Sequence, residues 1–351
     1  MFVQDKNRLP IIPLFKKFIA DSSSGRRVTP SGKRICKGAV LQYKYVLKLL
    51  EQFQCLQSFP FRIQLLNRSS QRILQSEKLY WKRFFKNFLQ WLYQKNYFDL
   101  YVGSVAKILR TFFNYLLKDQ CLIIGNFHQQ FKVPPQNLTP IVLEPQQLKF
   151  LITNEAFKNS LSQTLKRTND IFVFGCTVGL RYSDLMRLKK SDLQFTDHGA
   201  FVILNTSKTA AQVKIPLPQY VLEIINKYKS KTGKYVLPRL ANSNLNLQLK
   251  SLMQTAGWVY NLPKVRYRQG KPVELKNKQG NTYRFCDHIT AHTMRRTAIT
   301  TLLLMGVEEN IVRTISGHSP GSKEFYKYVA VVQNYLNKQV ITAYDKLINL
   351  P

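Results

Sequence analysis

Acidic residues are scarce: 19 Asp and Glu stand against 53 Lys and Arg in 351 residues, a formal net charge of +34. A surface so short of carboxylates repels itself and needs a polyanionic partner, which sets aside an ordinary metabolic enzyme and puts nucleic acid first. Cysteine is sparse too. Cys36, Cys55, Cys121, Cys176 and Cys286 are odd in number, widely spaced and without a CxxC pair, so neither a disulfide frame nor a zinc site is indicated and a reduced, intracellular protein is expected. Long apolar runs are missing. The longest, IFVFGCTVGL, has ten residues and stops at Arg181, whereas a membrane span needs about 20. IIPLF is cut short by Lys16 and Lys17, so no signal peptide is expected. No internal repeat is visible, and no carboxylate cluster suggests a two-metal nuclease.

What the chain does hold is enough apolar material for packed cores, 44% hydrophobic and 12% aromatic, which argues against a disordered basic tail. Its length suits about two domains. The charge is spread evenly: residues 1–140 carry 23 Lys and Arg against 6 Asp and Glu, the rest 30 against 13, so each part holds +17. Both parts are therefore expected to touch the polyanion, as in a clamp.

Residues 1–30, with SSSGRR and TPSGKR, read as a flexible basic lead-in. Residues 31–130 read as a helical bundle. GAVLQYKYVLKLLEQF places Tyr43, Val46, Leu47 and Leu50 at helical spacing with Lys44 and Lys48 on another face. SEKLYWKRFFKNFLQWLYQK sets Trp81, Phe84, Phe85, Phe88 and Leu92 against Lys78, Lys82 and Lys86. In GSVAKILRTFFNYLLKD, Ser104 is read as an N-cap, Ile108, Phe112 and Leu116 as the core face, and Lys107 and Arg110 as outside. These seven cations, Lys44, Lys48, Lys78, Lys82, Lys86, Lys107 and Arg110, are assigned to phosphate contact. Pro134, Pro135, Pro140 and Pro145 break the helical pattern, which puts a linker at 131–143 and a second domain at 144–351. There GAFVILNTSKTAAQVKIPLP reads as a β-hairpin presenting Lys208, VRYRQGKPVELKNKQGNTYRF as a second hairpin, and TLLLMGVEENIVRTISG and QNYLNKQVITAYDKL as helices.

Three separated segments of this domain carry the residues suited to chemistry: Arg181 in TVGLRYSDLMRL, His292 and Arg295 in AHTMRRTAITTLL, and His318 and Tyr328 in ISGHSPGSKEFYKYV. Converging on one phosphodiester, two guanidiniums would hold the non-bridging oxygens by bidentate hydrogen bonds and offset the charge of a pentacoordinate transition state. Lys208 would protonate the leaving sugar oxygen, and Tyr328 would attack phosphorus and conserve the bond energy in a phosphotyrosyl link. A phenol titrates near pH ~10, so the nucleophile needs cationic neighbours and a base, for which His292 is the first choice. His288 and His292 stand four apart, but no HExxH or third ligand accompanies them, so no metal site is assigned.

The ordered set GLRYSDL, SKT on a hairpin, HTMR, and SGHS followed by a tyrosine ten residues past the histidine resembles the tyrosine recombinase (phage integrase) family. The lead-in and the FYKYV ending look most like integrases of bacterial mobile elements such as conjugative transposons. The resemblance covers nearly the whole chain and implies a SAM-like, α-helical core-binding bundle followed by a mixed, mainly α catalytic domain with a small β-sheet. It implies that Arg181 and Arg295 clamp the phosphate and that Asp184 steadies the first of them. Lys208 is then the general acid, His292 the HxxR histidine, His318 the histidine that bonds the scissile phosphate, and Tyr328 the nucleophile. It further implies cleavage to a 3′-phosphotyrosine, a Holliday junction, a homotetramer on double-stranded attachment sites, no cofactor, no membrane, and a cytoplasmic, nucleoid-associated bacterial setting. An accessory DNA-bending protein is a further candidate partner. A closing helix bearing Leu336, Val340, Ala343 or Tyr344, and Leu347 on one side would pack on its own domain or, as the resemblance implies, dock on a neighbouring protomer.

Two departures stand out. The family more often has nine residues from that histidine to the tyrosine, which here falls on Lys327, with Tyr326 and Tyr328 at eight and ten. Arg296 replaces a frequent histidine and is given no catalytic role. Two rival readings are a type IB topoisomerase-like relaxing enzyme and a DNA-binding regulator that keeps the fold without the reaction.

Overall fold

The computed structural model describes residues 7–56, 61–134, 138–206, 212–319 and 321–348. The chain divides into two compact units, Met1–Gln136 with Val265–Glu274, and Asn137–Lys264 with Leu275–Pro351.

The first unit is a helical bundle: β1 (Arg8–Pro10), α1 (Ile11–Ser24), α2 (Lys37–Leu56), β2 (Arg62–Gln64), α3 (Gln71–Gln94) and α4 (Asp99–Lys118), with β1 and β2 paired antiparallel. Its core is aromatic. Along α3, Trp81, Phe84, Phe85, Phe88 and Trp91 are all buried, and Phe84 stacks on Phe88 at 5.7 Å while Trp81 meets Phe113 of α4 edge-on at 4.7 Å. Such pairs add specific geometry to the area they bury.

Residues 11–24, within the stretch expected to be a flexible lead-in, form helix α1. Within IIPLFKKFIA, Ile11, Phe15, Phe18 and Ile19 recur at helical spacing and are buried in α1, with Phe15 and Phe18 at 0% exposure. Pro13 sits in the first turn, where its missing N–H costs nothing. The helix that carries Lys107 also starts earlier than expected: α4 begins at Asp99, and Ser104 lies inside it, donating to Leu100 O at 2.9 Å. Asp99 has a second task. Its two carboxylate oxygens accept from the backbone N–H groups of Gln269 and Gly270 at 2.8 and 3.0 Å, so residues 265–274 of the later sequence belong to the first unit.

The second unit contains α5 (Pro145–Thr153), α6 (Glu155–Ser160), α7 (Gln163–Val178), α8 (Tyr182–Leu185), β3 (Leu193–Thr196), β4 (Gly199–Asn205), β5 (Gln212–Leu217), α9 (Gln219–Tyr228) and α10 (Asn242–Thr255). The chain then makes the second hairpin, β6 (Lys264–Arg268) and β7 (Lys271–Leu275), whose residues 265–274 belong to the first unit, and returns to the second with α11 (Phe285–His288), α12 (Ala291–Leu304), α13 (Glu309–Ser316) and α14 (Lys323–Ile348). Strands β3, β4 and β5 form one antiparallel sheet, with β4 and β5 in register from Ala200↔Leu217 to Asn205↔Gln212. Lys208, on the connection between them, lies outside the described residues.

Helix α7 is the buried centre of this unit, with Ile171, Phe172 and Phe174 at 0% exposure. It approaches α12 so closely at Gly175 that a Cβ there would run into the Met294 side chain. A larger residue there would force the Met294 side chain to move. Among the described residues no helix is long and apolar enough to cross a membrane.

One ion pair inside the first unit gives a stability test. Arg62 of β2 donates to both oxygens of Glu77 at 2.6 and 2.7 Å, with the carboxylate side chain only 3% exposed. Arg62→Ala strands that carboxylate, and the first unit is expected to lose about 3–5 kcal/mol in urea unfolding. Replacing both partners by leucine should recover most of the loss, because the cost lies in an unpaired buried charge.

Candidate active site

Two helix ends and one helix face assemble the site. Helix α7 is capped by Gly179 and α13 by Gly317, each glycine in the left-handed backbone region. This conformation turns the chain sharply and leaves the last carbonyls free to accept outside donors. Arg181 follows the first glycine as the residue that opens α8, and His318 follows the second. His292 and Arg295 lie one turn apart on α12, the spacing that puts both on one side of a helix.

Arg295 ties these parts together. It is 3% exposed; Nη1 donates to Gly179 O at 2.9 Å and Nη2 to Ser316 O at 2.5 Å. Nη2 also lies 3.3 Å from both ring nitrogens of His318. Burial and the nearby Arg181 guanidinium lower its pKa to about 10, while Tyr328 and Asp184 act the other way, so it stays charged at neutral pH. Arg181 Nη1 is buried and has no hydrogen-bond acceptor among the described residues. A buried guanidinium N–H without a partner is costly and marks a place that an anionic oxygen would fill.

Both histidines sit in this positive field. His318 bonds Ser316 Oγ through Nδ1 at 2.8 Å. Burial and then Arg295, Arg181 and Arg313 push its pKa down to about 4. The ring of His292 reaches solvent, yet the protein packed beneath it and the guanidiniums of Arg296, Arg295 and Arg181 lower it to about 4 as well. Both rings are therefore neutral at pH 7 and able to accept a proton. Asp184 is 3% exposed and its carboxylate is 3.4 Å from Arg187.

The three residues of FYKYV separate cleanly. Tyr328 is 6% exposed, with its ring 6.0 Å from His318 and 6.3 Å from Phe325. Tyr326 is 53% exposed and lies beside Arg313, 5.0 Å from guanidinium carbon to ring centre. Lys327 is paired with Glu324 at 3.0 Å. The structure thus brings Arg181, His292, Arg295, His318 and Tyr328 into one electrostatic cluster. The base of the Lys208 hairpin is beside it: Thr206 and Val213 come within 3.6 Å of a Cβ built on Gly317.

Some expected residues play other parts, and two were missed. His288 bonds Leu262 O at 2.8 Å and sits in α11, separated from His292 by the break at 289–290. Arg296, given no catalytic role, is a cation whose charge helps lower the pKa of His292. Arg313 was not foreseen: it is 8% exposed, stacks on Phe325 at 4.0 Å and pairs with Glu309 at 3.1 Å. Its signal was a lone cation five residues before His318. Ser316 was also not foreseen. In the first unit Lys44, Lys48, Lys78, Lys82, Lys86 and Lys107 are exposed, whereas Arg110 is half-buried, with Nε lacking an acceptor among the described residues.

The sequence profile of the Phage integrase family matches residues 142–334. Over 250 residues, 68% of this chain and 73% of the relative, the sequence is 26% identical to the tyrosine recombinase XerC of Bacillus pumilus (strain SAFR-032). The fold is similar to that of the Tn1549 transposon integrase (aa 82–397) in complex with circular intermediate DNA. The TM-score is 0.57 at 16% identity, over 91% of this chain and 95% of that one. It is also similar to a lambda integrase tetramer bound to a Holliday junction, with a TM-score of 0.54 at 13% identity over 92% and 81%.

The charge balance of the cluster is open to a titration. In the free protein the imidazoles of His292 and His318 are expected to titrate near 4, well below the ordinary 6.5. An added anion such as sulfate, bound among the guanidiniums, should raise both midpoints, since an opposite charge favours the protonated ring. Histidine NMR reads this directly; midpoints at 6.5 without anion would contradict the assembled site.

Proposed function

This chain belongs to the phage integrase family, and on that premise we propose that it is a site-specific DNA recombinase that cleaves and rejoins strands through Tyr328. The observation that carries the reading is the buried, acceptor-less Nη1 of Arg181 beside the buried Arg295, with a tyrosine ring packed on the histidine they flank. It is a site short of one anion and supplied with one nucleophile.

The reaction follows from these groups. The scissile phosphate enters with its non-bridging oxygens on Arg181 and Arg295. Tyr328 Oη attacks phosphorus as its proton passes to a neutral imidazole, with His292 the acceptor; the bond to the 5′ oxygen breaks, and Lys208 supplies that oxygen with its proton. A 3′-phosphotyrosine and a free 5′-hydroxyl result. Attack by a 5′-hydroxyl from another duplex reverses the step without ATP, because the phosphodiester energy is kept in the tyrosyl link. Guanidiniums fixed before the substrate arrives lower the barrier without reorganising during the reaction.

At the level of assembly, the helical first unit acts as the core-binding domain and the second as the catalytic domain. Four copies exchange strands through a Holliday junction, a reading supported by the likeness to the lambda integrase tetramer. The likeness to a transposon integrase supports the integration or excision of a mobile element as the biological setting. The apolar residues Leu336, Val340 and Tyr344 of α14 are exposed, at 44%, 54% and 64%, which suits a helix that docks on a neighbouring copy.

A nicked suicide duplex carrying the attachment site, incubated without metal or ATP, is expected to trap a covalent protein–DNA adduct. Tyr328→Phe should abolish it, Tyr326→Phe should leave it, and Arg295→Ala should slow its formation by about 10²–10³-fold. An adduct that survives Tyr328→Phe would reassign the nucleophile, and no adduct on a verified site would reject the reading.

The seven cations assigned to phosphate contact predict a steep salt dependence, with log K falling by about 6 per decade of salt. Lys82→Ala with Lys86→Ala should lower that slope by about 2, measured by fluorescence anisotropy on the same duplex; an unchanged slope would remove α3 from the DNA-facing surface.

A further inference from the structure

Ser316 is the last residue of α13 and is 2% exposed. Its hydroxyl oxygen is 2.6 Å from Val312 O, 3.3 Å from Arg313 O and 2.8 Å from His318 Nδ1. Its own carbonyl receives Arg295 Nη2.

A hydroxyl has one proton to give and lone pairs to receive with. If the proton goes to Val312 O, the shortest of the three contacts, then the contact with His318 requires Nδ1 to be the donor. A neutral imidazole carries a single N–H, so Nε2 is then left as an acceptor. Arg295 Nη2 stands 3.3 Å from both ring nitrogens and does not choose between the two forms; the short contact with Val312 O does. The opposite assignment turns the proton from Val312 O to Nδ1 and leaves two oxygens 2.6 Å apart with no proton between them.

We propose that Ser316 is a positioning residue that keeps the single proton of neutral His318 on Nδ1, so that His318 donates to the scissile phosphate only after its Nε2 has taken up a second proton. This rests on the reading of His318 as a phosphate partner. It gives the serine a role that its place on a buried helix end does not reveal, and it makes phosphate contact by His318 dependent on proton uptake.

The groups that face the ring come from every element around it: Arg295 from α12, Arg181 before α8, Arg313 from α13, and Glu324 and Tyr328 from α14. Without an anion, burial and the three guanidiniums keep the ring neutral and Glu324 opposes them weakly. A phosphodiester oxygen placed on the same guanidiniums offsets their repulsion and favours the imidazolium. Proton uptake thus follows substrate binding. Cleavage by the wild type then falls as pH rises through the midpoint of the DNA-bound ring.

The full chain labelled at its histidine rings tests this, with the His318 signals assigned by their loss in His318→Gln. At pH 7 without DNA the wild type and Ser316→Thr, which keeps the hydroxyl, are expected to show the Nδ1–H form. Ser316→Ala is expected to shift toward the Nε2–H form. On the suicide duplex, the wild-type cleavage rate should fall about tenfold per pH unit beyond its alkaline midpoint, and Ser316→Ala, whose neutral ring is free to donate from Nε2, should lose that limb while Ser316→Thr retains it. An Nε2–H ring in the wild type, or an alkaline limb unchanged in Ser316→Ala, overturns the proposal. Failure of the wild type to form any adduct counts against the recombinase reading instead, while the NMR spectrum of the free protein still decides the role of Ser316.

Discussion

Arg295 gives up nearly all contact with water while keeping its charge, and its hydrogen bonds among the described residues go to two main-chain carbonyls and a histidine ring. A buried cation of this kind costs several kcal/mol unless dipoles or counter-charges replace its hydration. Carbonyl oxygens supply the dipoles here. They hold the guanidinium in place without neutralising it, and a carboxylate in the same position would have cancelled the field needed to bind an anion. The scarcity of acidic residues in the whole chain is reproduced at its centre, where the charge that completes the site is expected from the substrate.

The two carbonyls belong to the ends of different helices, α7 and α13, and the guanidinium that bridges them comes from a third, α12. The geometry therefore depends on how these helices pack. Gly175 lets α7 and α12 approach until the Met294 side chain fills the space of a missing Cβ. The Gly317 turn carries His318 back over the Arg295 side chain. Close packing transmits such constraints because interiors hold few voids. The pKa values of both histidines then follow from position, since desolvation and the same set of guanidiniums act on each.

Much of this was legible in the residues alone, and the reason is chemical. Arg181, His292, Arg295, His318 and Tyr328 are polar residues set in apolar or turn-forming surroundings, and their types match one reaction. The hairpin that carries Lys208 was readable from its period-two strands. What escaped were features that exist only across long sequence separations or through small residues. Phe15 and Phe18 looked like part of a basic lead-in until the bundle gave them partners. The Asp99 carboxylate that receives the backbone of Gln269 and Gly270 is 170 residues away from them in sequence, beyond any periodicity. Ser316 occupies a position where an aliphatic residue would satisfy the helix equally well, and Arg313 looked like one more surface cation in a chain with many.

The choice among the residues of FYKYV shows what a helix adds to a motif. Successive residues on an α-helix are rotated by about 100°, so Tyr326, Lys327 and Tyr328 point in three directions and only one of them can face His318. The helix phase is set where α14 starts, at Lys323, and by Phe325, which is fully buried under Arg313. Tyr328, three residues further, shares the face of Phe325, whereas Tyr326 and Lys327 are directed to solvent and to Glu324. A spacing of ten in place of nine is then no defect. A residue added between His318 and Lys323, ahead of the helix, would change the length of a connection without rotating the face that Phe325 anchors. Counting residues from the histidine measures that connection, but the packing of Phe325 determines which side chain reaches the site.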